Sequence, residues 1–154
     1  MSRRSRARQV VLQLLFQEDL NSSRDLDWRG FLTGRLKGKL DLLEFAGALF
    51  AGVRDNLAGL DLSIQRATHN WKLARLSATD RNVLRLAAFE ILHFGTPAKV
   101  AIDEAIDLAR RFGNADSAAF VNGVLDRLYR DQTNPTLVTQ PSSVGSDIPS
   151  DGSE

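Results

Sequence analysis

Residues 77–92, SATDRNVLRLAAFEIL, place apolar side chains at Val83, Leu84, Ala87, Ala88 and Ile91, the three-and-four spacing of one helical face. Ser77 followed at the third position by Asp80 has the form of a capping box in which Asp replaces the longer Glu, so a helix is expected to begin there. Phe94, Gly95, Thr96 and Pro97 end it and open another. Val100, Ile102, Ala105, Ile106 and Ala109 form the apolar stripe of that next helix. Arg110 and Arg111 suit its negative C-terminal end, and Gly113 is expected in a left-handed cap. Asp116 or Ser117 then caps a last helix through Phe120, Val121, Val124, Leu125 and Leu128.

The same spacing extends upstream. Val11, Leu14 and Leu15, with Leu12, Phe16 and Leu20, predict a first helix over 4–20, stopped by Asn21, Ser22 and Ser23. A weaker helix over 28–36 contains Gly30 and Gly34, and Gly38 follows it. Asp41 is expected to cap a third that carries Leu43, Ala46, Leu49, Phe50, Val53 and Leu57 and ends near Gly59, with Asp61 as the next cap. No stretch alternates with the period of a half-buried strand, so six or seven short helices with short connections mean an all-α bundle.

Composition limits what such a bundle does. The 154 residues contain no cysteine, which removes disulfides, thiolate-bound metals and thiol catalysis. No apolar run approaches the roughly 18 residues of a membrane span, and a soluble cytoplasmic protein is expected. The stretch VVLQLLF at 10–16 makes a poor secretion signal: Gln13 interrupts it, Glu18 and Asp19 follow, and no small-residue cleavage site is present. The net charge of +1 conceals polarised ends: residues 1–10 carry Arg3, Arg4, Arg6 and Arg8 and no acid, whereas 131–154 carry four acids and no base. That last segment holds three of the four prolines and five serines, and is expected to be a disordered acidic tail behind a domain of residues 1–130.

Catalytic chemistry has no candidate. His69 and His93 lie 24 apart, not at the spacing that pairs imidazoles on a helix, and core or surface histidines are the better reading. Asp103, Glu104 and Asp107 read as a solvated face. Gly47 and Gly52 in GALFAG lack the Gly-Lys-Ser/Thr ending of a phosphate loop and fit a close approach of two helices. Gly123, unfavourable inside a helix, suggests close packing too. Neither enzyme activity nor a cofactor is expected.

The arginine arm carries the functional signal. Four cations at a helix start oppose the macrodipole and repel one another, and a polyanion would relieve both penalties. Arg4 and Arg8 share a face, and arginine forks match phosphate geometry. An arm that frays when free and orders on nucleic acid is expected.

The segments RRSRARQVVLQLLFQ at 3–17, LFAGV at 49–53, DRNVLRLAAFEIL at 80–92, PAKVAIDEAIDLARRFG at 97–113 and FVNGVLDR at 120–127 resemble, in order and spacing, the NusB family of transcription antitermination factors. The resemblance covers roughly residues 3–130. It implies two packed three-helix bundles, no catalysis, and binding of the single-stranded boxA element of ribosomal RNA leader transcripts. It also implies partnership with NusE, a small-subunit ribosomal protein, within an RNA polymerase antitermination complex, and a possible homodimer in the free state. Arg3, Arg4, Arg6 and Arg8 match the family's arginine-rich motif, with Ser5 interrupting the run. Phe16 falls where the family commonly has an aromatic on the first helix, and it could stack or equally be core. Phe112 and Phe120 match aromatic positions flanking the loop before the last helix, near the family's RNA surface; Phe120 could stack on bases or pack, and for Phe112 packing is favoured. Asp116 matches an acidic loop position beside the RNA, with helix capping as its plainer role. Asp80 and Arg85 lie on the helix the family uses toward its protein partner, although local capping and pairing explain them nearly as well.

Two other functions compete. A helical protein-interaction module would use the arm for solubility alone. An RNA-modifying enzyme would need a separate cofactor-binding domain, and with only a 24-residue tail after the helices it is not expected.

Overall fold

The computed structural model describes residues 2–21, 26–69 and 71–134. Helix α1 (Arg3–Leu20) starts where the Ser2 hydroxyl accepts the Ser5 N–H at 3.1 Å, and it ends at Asn21. Helix α2 (Trp28–Leu36) starts at Asp27, whose carboxylate accepts the Gly30 N–H at 3.0 Å. Helices α3 (Leu40–Asp55) and α4 (Leu57–Thr68) are separated by Asn56 alone. A 3₁₀ turn (Leu73–Arg75) leads to α5 (Ala78–Phe89), where the Ser77 hydroxyl accepts the Asp80 N–H at 3.1 Å. A π-helical turn (Glu90–Phe94) follows, closed by Gly95 at φ 79°, a left-handed conformation natural to glycine. Helices α6 (Ala98–Phe112) and α7 (Ser117–Thr133) complete the described chain.

The two expected bundles are present. Helices α1, α2 and α3 pack together, α5, α6 and α7 form the second group, and α4 lies against α5 and α7. Helix α5 also touches α1 and α3 and so joins the groups. That position accounts for its sequence: every residue from Val83 to Phe89 is buried, as in a helix surrounded by protein rather than half wet. Gly52 admits the crossing, because a methyl group there would run into the Phe89 ring.

Several local expectations change. Helix α3 ends at Asp55 rather than Gly59, because the Asn56 side-chain amide donates to the Gly52 carbonyl at 2.8 Å and closes the last turn. Asp61 is therefore no cap; it sits inside α4, bonded to Arg85. Asp41 lies in the first turn of α3, and Lys39 holds the cap position. The buried stripe of α6 is Ala101, Ala105, Leu108 and Ala109, with Val100 exposed. Gly113 is extended, at φ −92°, not left-handed; there the Ser117 hydroxyl accepts the Asn114 N–H at 3.0 Å. Gly123 faces solvent with no atom near the place of its missing side chain, so close packing does not explain it. Helix α7 continues through Thr133, three residues past the expected boundary, and the rest of the expected tail, 135–154, lies outside the described residues, as do Ser22 and Ser23. No helix among the described residues is long and apolar enough to cross a membrane.

Candidate nucleic-acid interface

The four arginines at the start of α1 have four different surroundings. Arg3 is exposed and lies 3.6 Å from Asp41 of α3. Arg4, also exposed, places its guanidinium 4.7 Å from the centre of the Phe45 ring, within range of a cation–π contact. Arg6 points to solvent and makes no ion pair among the described residues. Arg8 departs from the expectation of a phosphate contact: only 4% of it is exposed. Its Nε and Nη2 donate to the Glu90 carboxylate at distances of 2.7 to 3.1 Å, and its Nη1 lies 3.6 Å from Glu104.

This pair anchors the arm. Glu90, in the π-helical turn, is 1% exposed and also accepts the Thr96 hydroxyl at 3.0 Å. Ser5 donates its hydroxyl to Glu104 at 2.7 Å, so the residue that interrupts the arginine run faces α6. Arg4 and Arg8 do share a face, as their spacing requires, but it is the one turned toward Phe45, which Arg8 also overlies at 5.2 Å. The arm is helical from Arg3 onward. The pairing of Arg8 with two carboxylates and the contacts of Arg3 and Arg4 relieve part of the crowding of charge at this helix start.

The structure brings Phe16 and Phe112 together. They line an open groove of about 400 Å³ between α1, α2, α5 and α6, with Gln13, Gln17, Arg35 and Thr79. A second groove, of about 480 Å³, runs between α1 and α6 past Ser2, Ser5 and Gln9 to Arg110 and Arg111. Arg110 and Arg111 are exposed and make no ion pair among the described residues. Local sequence assigns these two arginines a helix-end role alone and does not single out Arg35. What marks them is position beside α1, which their local sequence does not reveal. Gln13 and Gln17 were legible as polar residues one turn apart within an apolar run.

Phe120 and Asp116 are not part of either groove. Phe120 is half-buried and packs against the core. Asp116 is exposed at the start of α7, makes no capping bond with its side chain, and donates its N–H to Asn114 Oδ1 at 2.9 Å.

Asp80 and Arg85 are largely buried, although Arg85 lines a groove with Asp19 and Arg54. Asp80 is 8% exposed, and its Oδ1 has no hydrogen-bond partner among the described residues. Arg85 holds Asp61 of α4 through two bonds of 2.8 and 2.9 Å and lies 3.5 Å from Asp19 of α1. Asp19 in turn accepts from Arg81 at 2.7 and 2.9 Å and from Asn82 at 3.0 Å. Burial pushes the Asp19 carboxyl up, but the bonds from Arg81 and Asn82 and the charges of Arg85 and Arg81 outweigh it and hold the group below the usual carboxylate range. Burial opposes the Arg85 charge, yet Asp61 and Asp19 raise its pKa still further. His69 and His93 are both exposed. Among the described residues no group of three His, Asp or Glu side chains is placed to hold a metal ion.

The sequence model of the NusB family matches residues 5–130. The transcription antitermination protein NusB of Desulfatibacillum aliphaticivorans is 41% identical over 130 residues, covering 84% of this chain and 91% of that protein. T. maritima NusB matches in structure with a TM-score of 0.73 at 39% identity, covering 85% of this chain and 92% of that one. A crystal structure of antitermination factors NusB and NusE in complex with dsRNA shares the fold, with a TM-score of 0.70 at 24% identity over 84% of this chain and 98% of its own.

Proposed function

Because the chain belongs to the NusB family, whose relatives include transcription antitermination proteins, we propose that it binds boxA-type RNA of ribosomal RNA leader transcripts together with NusE. Through that pair it joins the RNA polymerase antitermination complex. The observation that carries this reading is the ordered start of α1, where Arg3, Arg4 and Arg6 stand exposed while buried Arg8 anchors the helix beneath them. The exposed three engage phosphates. Phe16 and Phe112, in the groove farther along α1, contact bases, and Phe120 and Asp116 form the outer edge of the surface. The similar structure holding NusB, NusE and dsRNA supports RNA and NusE as the partners to assay.

Three phosphate contacts on single-stranded RNA give a slope of log K against log salt of about −2. Filter binding of boxA RNA, with and without NusE, measures it. Arg6→Ala is expected to make the slope shallower by about 0.7. Indifference of binding to charge reversal at Arg6 would remove the arm from the mechanism. One observation favours the reading as a protein-interaction module: Arg8 is wholly engaged inside the fold and Arg3 faces Asp41. That reading requires the Arg3, Arg4 and Arg6 triple alanine variant to bind NusE normally and the wild type to show no RNA preference.

A further inference from the structure

The turn between α4 and α5, at the far end of α1 from the arginine arm, presents cations and an aromatic ring to solvent. Residues 62–79 contain Arg66, Lys72 and Arg75 and no Asp or Glu. These cations are exposed, and none makes an ion pair among the described residues. Arg66 suits the C-terminal turn of α4, but Lys72 and Arg75 have no such reason for their place. The Arg75 N–H donates to the Lys72 carbonyl at 2.9 Å, closing a 3₁₀ turn that sets side chains at i and i+3 on one edge. Two like charges are thus stacked without a counter-ion. Leu73 and Leu76, by contrast, pack against the core. Trp71 is 55% exposed, whereas the other tryptophan, Trp28, packs against Phe50 with ring centres 5.1 Å apart. The turn is tied from both neighbouring helices. Gln65 of α4 donates its amide to the Trp71 carbonyl at 2.7 Å and accepts the Leu73 N–H at 2.9 Å. Arg81 of α5 donates to the Leu73 and Leu76 carbonyls at 3.3 and 3.1 Å.

We propose that this turn is a second contact for single-stranded RNA, separate from the arm, with one base stacked on the Trp71 indole and phosphates held by Lys72 and Arg75. RNA repeats a planar base and a phosphate at every nucleotide, which matches a ring and two cations within residues 71–75. An apolar protein surface would cover the indole and leave both cations unpaired. Because Gln65 and Arg81 already fix the backbone of the turn, binding there has little protein to order. The distance to the arm sets the length of strand required. Arg81, which holds the turn, is also bonded to Asp19 near the end of α1, and from Arg6 to Asp19 the helix rises about 20 Å at 1.5 Å per residue. A strand that touches both sites therefore needs about six stacked nucleotides between them, at about 3.4 Å each.

This inference rests on the RNA-binding reading, and the experiment separates the two. Full-length protein is titrated with two single-stranded RNAs that share the boxA element, the longer extended on each side by more than the span of about six nucleotides. The wild type is expected to bind the longer RNA about tenfold more tightly, the scale of one stacked base. Its salt slope for that RNA should be steeper by about 1.4, the increment of two phosphates. Trp71→Ala is expected to remove the tenfold gain, and Lys72→Ala with Arg75→Ala to remove the extra slope. Both variants should bind the short RNA as the wild type does. Equal affinity of the wild type for the two lengths, or a length gain that survives in both variants, overturns the second contact while leaving the arm's role intact. So does a loss confined to NusE affinity, which would make the turn a protein contact. Absence of salt-dependent binding of either RNA by the wild type overturns both readings together.

Discussion

Arg6 and Arg8 stand two positions apart on one helix and have opposite surroundings, one exposed and the other buried against Glu90, 82 residues from Arg8. At the residue scale the Arg8–Glu90 pair is the decisive contact, because both charges are almost fully withdrawn from water. Removing one partner of such a pair leaves a buried charge short of its main counter-ion, and Glu90→Ala, with only Glu104 at 3.6 Å left beside Arg8, is expected to cost about 3 kcal/mol in urea denaturation. Replacing both, as Arg8→Met with Glu90→Leu, should recover most of that loss. The sequence showed that four arginines crowd a helix start, but it could not show which of them turns inward. Periodicity places Arg4 and Arg8 on one face without saying what that face meets.

At the scale of elements some caps and stops were legible, and others, at Asp41, Asp61 and Gly113, were not. Ser77, Asn21 and the Phe94–Pro97 break fall where expected, since each acts through neighbours in sequence. The α3–α4 junction was misplaced because Gly59 and Asp61 resemble a stop and a start, whereas the turn is closed by an Asn56 side chain bonding four residues back. Gly52 was correctly read as a point of close approach, and its partner is Phe89 of α5. Gly52→Ala would force the two helices apart or the ring off its rotamer. A loss of about 1 to 3 kcal/mol is expected in thermal or urea unfolding, whereas Gly123→Ala, on an open helix surface, should gain up to about 1 kcal/mol.

Across the whole molecule, the polar contacts join helices that the apolar pattern leaves unassigned. Asp19 on α1, Arg81 and Arg85 on α5 and Asp61 on α4 tie the first bundle to the second. None of these pairings was legible, because they link positions at least 24 residues apart and nothing in the local sequence of either partner points to the other. Since the Asp19 carboxyl is held below its unfolded value, the stability it contributes is complete above about pH 4 and vanishes as the pH falls through the lower folded value. Asp19→Asn should therefore be less stable at neutral pH and show a flatter decline in acid, as followed by denaturant midpoints between pH 7 and 2. The tether at Arg8 has a kinetic counterpart. With the first turns of α1 held in place, the proposed encounter with RNA would need no folding of the arm, so its association rate should depend on diffusion and salt, and differences among RNA sequences should be expressed in how long each complex lasts.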